Sequence, residues 1–217
     1  PTCCSKNNHI NSFICLFHTN LLVVLNKISM DYVNHPWISP KTLEKRDYQE
    51  HIIASAITGN TLVVLPTGLG KTPIALVVAA CRLQKDSHKK ILFMAPTRPL
   101  VEQHRVTFEK CLKLGLELNV ITGEIKPEER NTLYKKTDII FSTPQTIRND
   151  VKQGRLSLED VALCVFDEAH RAVGNYAYSY VAKAYNNQSK TPLTLALTAS
   201  PGADLKKIEE VKQILYI

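Results

Sequence analysis

Thr61-Leu62-Val63-Val64-Leu65-Pro66-Thr67-Gly68-Leu69-Gly70-Lys71-Thr72 joins an apolar, β-branched run to a loop with two glycines and then to a segment of helical period. A strand, a bend and a helix start are expected in that order. Gly68 and Gly70 allow the bend, so that successive N–H groups and the helix N-terminus point at phosphate oxygens. Lys71 would neutralise β- and γ-phosphates, and the Thr72 hydroxyl would ligate Mg²⁺. The strict eight-residue motif asks for Gly where Leu65 stands, so Pro66–Thr72 is a variant form. The competing reading is a plain strand-to-helix turn.

Outward from this stretch the same alternation repeats. Apolar runs at 61–65, 91–95, 118–121, 138–141, 162–166 and 193–197 read as strands. Segments 42–58, 71–84, 98–114, 127–135, 145–153 and 177–185 read as helices, with breaks at Gly59-Asn60, Gly115 and Gly123. Such alternation predicts an α/β fold, a mostly parallel central sheet with helices on both faces. Ligands in such sheets bind beyond the carboxyl ends of the strands, in the loops that follow.

The loop after 162–166 is Asp167-Glu168-Ala169-His170. Asp167 can hold Mg²⁺ through a water, as the acid ending a second nucleotide-site strand does. Glu168 can orient and deprotonate an attacking water. An acid pair favoured by a helix dipole is the bland alternative. Together with the Lys71-Thr72 loop, the pair points to an NTPase with ATP and Mg²⁺ as cofactors.

Four further segments fill the remaining loops. Arg46-Asp47-Tyr48-Gln49 is expected inside the first helix, where Gln49 can bond N6 and N7 of adenine. Ala95-Pro96-Thr97-Arg98-Pro99-Leu100 and Ser142-Thr143-Pro144-Gln145 start helices, offering N–H groups and one Arg to sugar-phosphate. Thr198-Ala199-Ser200 ends the last strand, well placed to meet the 167–170 loop.

R-x-Y-Q, P-T-G-L-G-K-T, A-P-T-R-P-L, S-T-P-Q, D-E-A-H and T-A-S-P, in this order from Arg46 to Gly202, resemble the motifs of superfamily 2 DEAH-box helicases. LPTGLGKT, APTRPLVEQH, FSTPQTIRNDV, VFDEAHRAVGNYAY and LTASPG are similar to the group formed by archaeal Hef helicase/nucleases and the Fanconi anaemia M protein. The resemblance implies a RecA-like P-loop domain, the first of two in a motor on forked or branched DNA. It implies Arg46, Gln49 and Pro66–Thr72 at the nucleotide, Thr72 and Asp167 at the metal, and Lys71, Asp167, Glu168 and His170 in catalysis. Thr198, Ser200 and His170 match residues coupling hydrolysis to domain movement. Thr97, Arg98, Gly123, Thr143 and Pro144 match nucleic-acid contacts, for which helix caps and turn residues are the plain alternative.

In that group a second RecA-like domain with an arginine finger follows, and it would begin past Ile217. The 217 residues alone are therefore expected to bind nucleotide and hydrolyse it poorly. The group's helical insertion and nuclease domain are not matched, so no nuclease activity is assigned.

Composition bounds these expectations. At 44% hydrophobic and 22% charged, 217 residues can bury a core without metal or disulfide staples. Lys and Arg number 27 against 20 acids, and an excess of basic charge favours polyanions. Residues 1–30 carry only Lys6 and Lys27 as formal charges, leaving 25 against 20 for the part read as the ATP-binding domain, 31–217. The first 30 residues are treated as an appendage of uncertain status. Their two short apolar runs, split by His18-Thr19-Asn20, fall short of a spanning helix, and no membrane association is expected. Six cysteines at 3, 4, 15, 81, 111 and 164 form no C-x-x-C pair and have no His at zinc-ligand spacing. No zinc is expected, and the compartment reads as reducing, cytoplasmic in a prokaryote or nuclear in a eukaryote.

Some residues read as ordinary surface or core. His104, beside Glu102 and Gln103, is expected on a solvated helix face. Lys89-Lys90 and Lys135-Lys136 read as solvated strand flanks, and the tyrosines at 176, 178, 180 and 185 as a half-buried helix rather than base-stacking groups. Two alternatives to a DNA motor stay open: a nucleotide-switched binding module without useful turnover, and an RNA-directed relative like the Dicer or RNA-sensor helicases.

Overall fold

The computed structural model describes residues 31–174, 176–199 and 205–217. Among these, one sheet holds β1 (Thr61–Val64), β2 (Lys90–Met94), β3 (Leu118–Val120), β4 (Ile139–Ser142), β5 (Val161–Asp167) and β6 (Thr194–Thr198). Their order is β1-β6-β5-β2-β4-β3, with every pairing parallel. The helices are α1 (Asp47–Thr58), α2 (Lys71–Lys85), α3 (Arg98–Cys111), α4 (Pro127–Lys136), α5 (Pro144–Lys152), α6 (Ala177–Gln188) and α7 (Leu205–Leu215).

Side chains alternate across the sheet with period two. Ile91, Phe93, Leu163 and Val165 meet Ile74, Leu76 and Val78 of α2 and Val101 and Phe108 of α3 in one core. Their neighbours Leu92, Met94, Cys164 and Phe166 meet Ile147 of α5, Tyr178 of α6 and Leu215 of α7 in the other. All seven positions of β5 are buried, which is why this strand reads as an unbroken apolar run. Cys164 is fully buried and Cys81 partly so, and burial pushes both thiols up. Because α2 leaves β1 for one face and α6 leaves β5 for the other, the strand ends between them open into a crevice.

The expected strands and helices are all present, with three differences. Residues 42–46 are not helical, so Arg46 is the extended N-cap of α1 rather than a member of it. Tertiary pairing overrides local helix propensity there: Val33 N donates to Leu43 O at 2.9 Å, Lys45 N donates to Asp31 O at 2.7 Å, and Lys41 turns the chain at φ 62°. Helix α3 stops at Cys111 rather than at 114. There Leu112 turns extended and forms a bridge to Ile38. Helix α7 lies beyond the last helix that the pattern predicts. The appendage at 1–30 and Ser200 lie outside the described residues. No helix among the described residues is long and apolar enough to cross a membrane.

Candidate nucleotide site and nucleic-acid edge

Beyond β1 the chain bends through two left-handed glycines, Gly68 at φ 86° and Gly70 at φ 84°. Gly70 is the N-cap of α2 and supplies no capping side chain. A Cβ there would sit 2.2 Å from Gln49 Nε2, so any side chain at position 70 must displace the Gln49 amide. The closeness has a purpose in the packing: Gln49 Nε2 and Tyr48 Oη both donate to the Leu69 carbonyl, at 3.3 and 2.8 Å. Arg46 Nη1 donates to Tyr48 Oη at 3.3 Å. Gln49 Nε2 also donates to Tyr48 Oη, at 3.4 Å. Helix α1 thereby clamps the crown of the loop, and the buried Gln49 keeps its amide oxygen for another partner. Lys71 folds back over the loop, donating to the carbonyls of Leu65 at 2.9 Å and Pro66 at 3.5 Å.

Across the crevice, buried Asp167 closes β5 and Glu168 follows in the left-handed region at φ 52°. That conformation is rare for a non-glycine residue and costs on the order of 1–3 kcal/mol, a strain that clusters at functional sites. Tyr178 of α6, wholly buried, donates to the carbonyls of Asp167 at 2.6 Å and Met94 at 3.2 Å, fixing the ends of β5 and β2 together.

His104 corrects an expectation. Instead of facing solvent, it is 8% exposed, with Nε2 2.8 Å from Asp167 Oδ2 and Nδ1 3.3 Å from Thr72 Oγ1. Its ring lies 4.5 Å from that of Phe93. One imidazole therefore joins the two oxygens proposed as metal ligands. A hydroxyl and a carboxylate beside a loop of two left-handed glycines and a lysine fit Mg²⁺, which takes one or two protein oxygens and completes its shell with phosphate and water.

These groups line one cleft of about 530 Å³ between the segment Thr42–Gln49, the loop Thr67–Thr72, the α3 residues Gln103 and His104, and Asp167-Glu168. Of the expected nucleotide residues, Arg46, Gln49, Thr67, Gly68, Gly70, Lys71, Thr72, Asp167 and Glu168 line it. Pro66 and Leu69 shape the loop through their carbonyls. Thr42, Leu43 and Glu44 also line it and carry no sequence signal of their own.

His170, in a short 3-10 turn at Ala169–Arg171, brings Nδ1 within 3.1 Å of Thr198 Oγ1 and 3.3 Å of Glu168 Oε2. The 167–170 loop and the end of β6 thus touch as expected.

The other five expected residues lie on the neighbouring strand ends β2, β4 and β3. Thr97 and Thr143 stand at the N-caps of α3 and α5, the positions that the plain alternative gives them, and neither side chain bonds a helix N–H. Arg98 pairs with Glu124 beside Gly123, and a Cβ on Gly123 would lie 3.8 Å from Thr146 Oγ1 in α5. Thr143 Oγ1 is 3.0 Å from that same hydroxyl, and Pro144 opens α5. The three loops form one continuous edge.

Lys90 Nζ donates to Thr137 O at 2.7 Å, and Lys89 Nζ to Thr191 Oγ1 at 3.3 Å, both at the opposite end of the sheet. Tyr178 and Tyr185 are core residues, while Tyr180 is exposed.

Residues 46–208 match the DEAD/DEAH box helicase family. A Methanocaldococcus jannaschii protein named as a putative ATP-dependent RNA helicase is 45% identical over 86% of this chain and 24% of its own length. The Drosophila melanogaster DEAD-box ATP-dependent DNA helicase Fancm is 42% identical over 84% of this chain and 13% of its own. The crystal structure of the Pyrococcus furiosus Hef helicase domain aligns with a TM-score of 0.76 and 52% identity, covering 80% of this chain and 36% of that one. The chain spans about a quarter or less of these two curated relatives.

Proposed function

This chain belongs to the DEAD/DEAH box helicase family, and we propose that it is the ATP-binding, first RecA-like lobe of a motor that moves along forked or branched DNA. What carries the proposal is convergence: Lys71, Thr72, Asp167 and Glu168 come from strands that are not sheet neighbours and meet in one cleft with Gln49 at its rim.

ATP would lie with adenine on Gln49, whose amide oxygen suits N6 and whose N–H would exchange the long bond to Tyr48 Oη for N7. Its phosphates would draw Lys71 from the Leu65 carbonyl. Mg²⁺, held by Thr72 and through water by Asp167, would offset charge on the β- and γ-phosphates. Glu168 would accept a proton from the attacking water. His170 and Thr198 would relay the change in the acid loop to the end of β6. The nucleic acid would lie along Thr97, Arg98, Gly123, Thr143 and Pro144, on its backbone and with little sequence choice. A second lobe would bring an arginine onto the γ-phosphate, so the 217 residues alone would turn over slowly.

The test is ATPase rate with and without forked DNA, for the 217-residue chain and for a longer protein with both lobes. Stimulation confined to the longer protein is expected; full stimulation of the short chain would refute the two-lobe reading. One relative is named an RNA helicase, so matched forked RNA is the necessary comparison. Preference for RNA would move the protein to the Dicer-like alternative.

A further inference from the structure

A groove of about 400 Å³ lies between α5 and α6, away from the nucleotide cleft. Arg148 and Lys152 stand one turn apart on α5; Tyr176, Tyr180 and Lys183 follow at helical spacing at and after the start of α6. No carboxylate lines it, and none of the three cations has an ion-pair partner among the described residues. Of the other seven arginines, Arg46, Arg82, Arg98, Arg105, Arg130 and Arg155 pair with acids, and among the described residues only Arg171 shares the unpaired state of Arg148. Lys152 Nζ sits 4.8 Å above the Tyr180 ring, which holds the ammonium in place without neutralising it.

The groove continues the edge already described. Helix α5 starts at Pro144, and at 1.5 Å per residue Lys152 lies about 12 Å along it. We propose that this groove is a second nucleic-acid subsite, in which Arg148, Lys152 and Lys183 bind the phosphodiester backbone of a strand leaving the edge at Thr143-Pro144. The proposal rests on the reading of the protein as a DNA motor. Since the Tyr180 face is taken by Lys152, the rings act as walls, and the contact is electrostatic rather than base stacking.

The test measures the affinity of the 217-residue chain for labelled forked DNA across a salt series. The variants are Arg148→Gln/Lys152→Gln/Lys183→Gln and, separately, Arg98→Gln on the first edge. Loss of three phosphate contacts should lower the salt slope by about 2 and weaken binding about a hundredfold near 0.1 M salt, if each contact contributes about 0.7 as for single strands. ATP affinity and melting temperature should not change, because Lys152 and Lys183 are exposed and Arg148 is partly so. An unchanged slope in the triple variant, with Arg98→Gln still weakening, overturns the subsite and leaves the groove to an acidic protein segment. If the wild-type chain binds neither forked DNA nor forked RNA, the motor reading fails and the subsite with it.

Discussion

His104 Nε2 lies 2.8 Å from Asp167 Oδ2, a contact between α3 and the end of β5 made by residues 63 positions apart. The other ring nitrogen reaches Thr72. A buried imidazole in that place orients both oxygens toward one point, and groups that orient metal ligands typically control about 10–100-fold in metal affinity. His104→Ala is therefore expected to weaken ATP binding by about that factor in the presence of Mg²⁺, with little change in EDTA. His104→Gln should retain most of the affinity, because its amide can still donate to Asp167. Calorimetric titration with and without Mg²⁺ decides; equal losses in both conditions would mean that His104 acts through the fold alone.

Gly70→Ala tests the clamp between α1 and the phosphate loop. The new Cβ clashes with the end of the Gln49 side chain, which can swing away, and touches Pro73 Cγ at an ordinary 3.6 Å, so the main cost is the left-handed backbone, about 1–2 kcal/mol. For a chain of this size that is a fall in Tm of roughly 2–8 °C. Displacing Gln49 also breaks its bond to Leu69, so adenine selectivity over guanine should drop. Adding Gln49→Ala to Gly70→Ala should cost little further stability; fully additive losses would show that the two side chains do not meet.

Lys71→Ala separates chemistry from folding. Its ammonium bonds only loop carbonyls at the surface of the cleft, so the loss in stability should stay near 1 kcal/mol. Removing a cation aimed at developing charge lowers turnover by about 10²–10³. Steady-state ATPase in the two-lobe protein, beside thermal melts, should show a large kinetic and a small thermal effect. A variant with near-normal turnover would place the phosphates elsewhere.

How much of this was legible in sequence follows from which forces are local. The six strands read clearly because a buried parallel strand must be apolar on both faces, as Val161–Phe166 is. The bend after β1 and the start of α2 read clearly because Gly68, Gly70 and Lys71-Thr72 act within seven residues. The start of α1 did not, because Thr42–Arg46 has ordinary helix formers and loses its helix only through pairing with residues 31–33. His104 was misplaced for the same reason. Glu102, Gln103 and Arg105 around it are polar, and nothing within one helical turn reveals that a carboxylate waits at Asp167. Helix α7 carried its period at 205, 208, 211 and 215, but five charged residues among its eleven blur the apolar stripe.

Asp150 ties α5 to α4 and is expected to set the acid limit of the fold. Its carboxylate is wholly buried and accepts from Arg130 at 2.7 and 2.8 Å, from Tyr134 at 2.7 Å and from Arg155 at 2.7 Å. Burial alone would push this carboxyl up, but the bonds from Arg130, Tyr134 and Arg155 together outweigh it and hold it below its usual range. A carboxyl depressed in the folded state adds stability that is present above the unfolded value near 3.9 and lost as pH falls through the folded one. Melts should therefore change little from this group between pH 7 and 5 and fall steeply below about pH 4. Asp150→Asn removes one member of a buried charged cluster and leaves two arginines facing it, at a cost of about 3–5 kcal/mol at pH 7. Its stability should also depend less on pH below 4 than the wild type's. The same steep acid loss in Asp150→Asn would assign the acid sensitivity to other carboxylates.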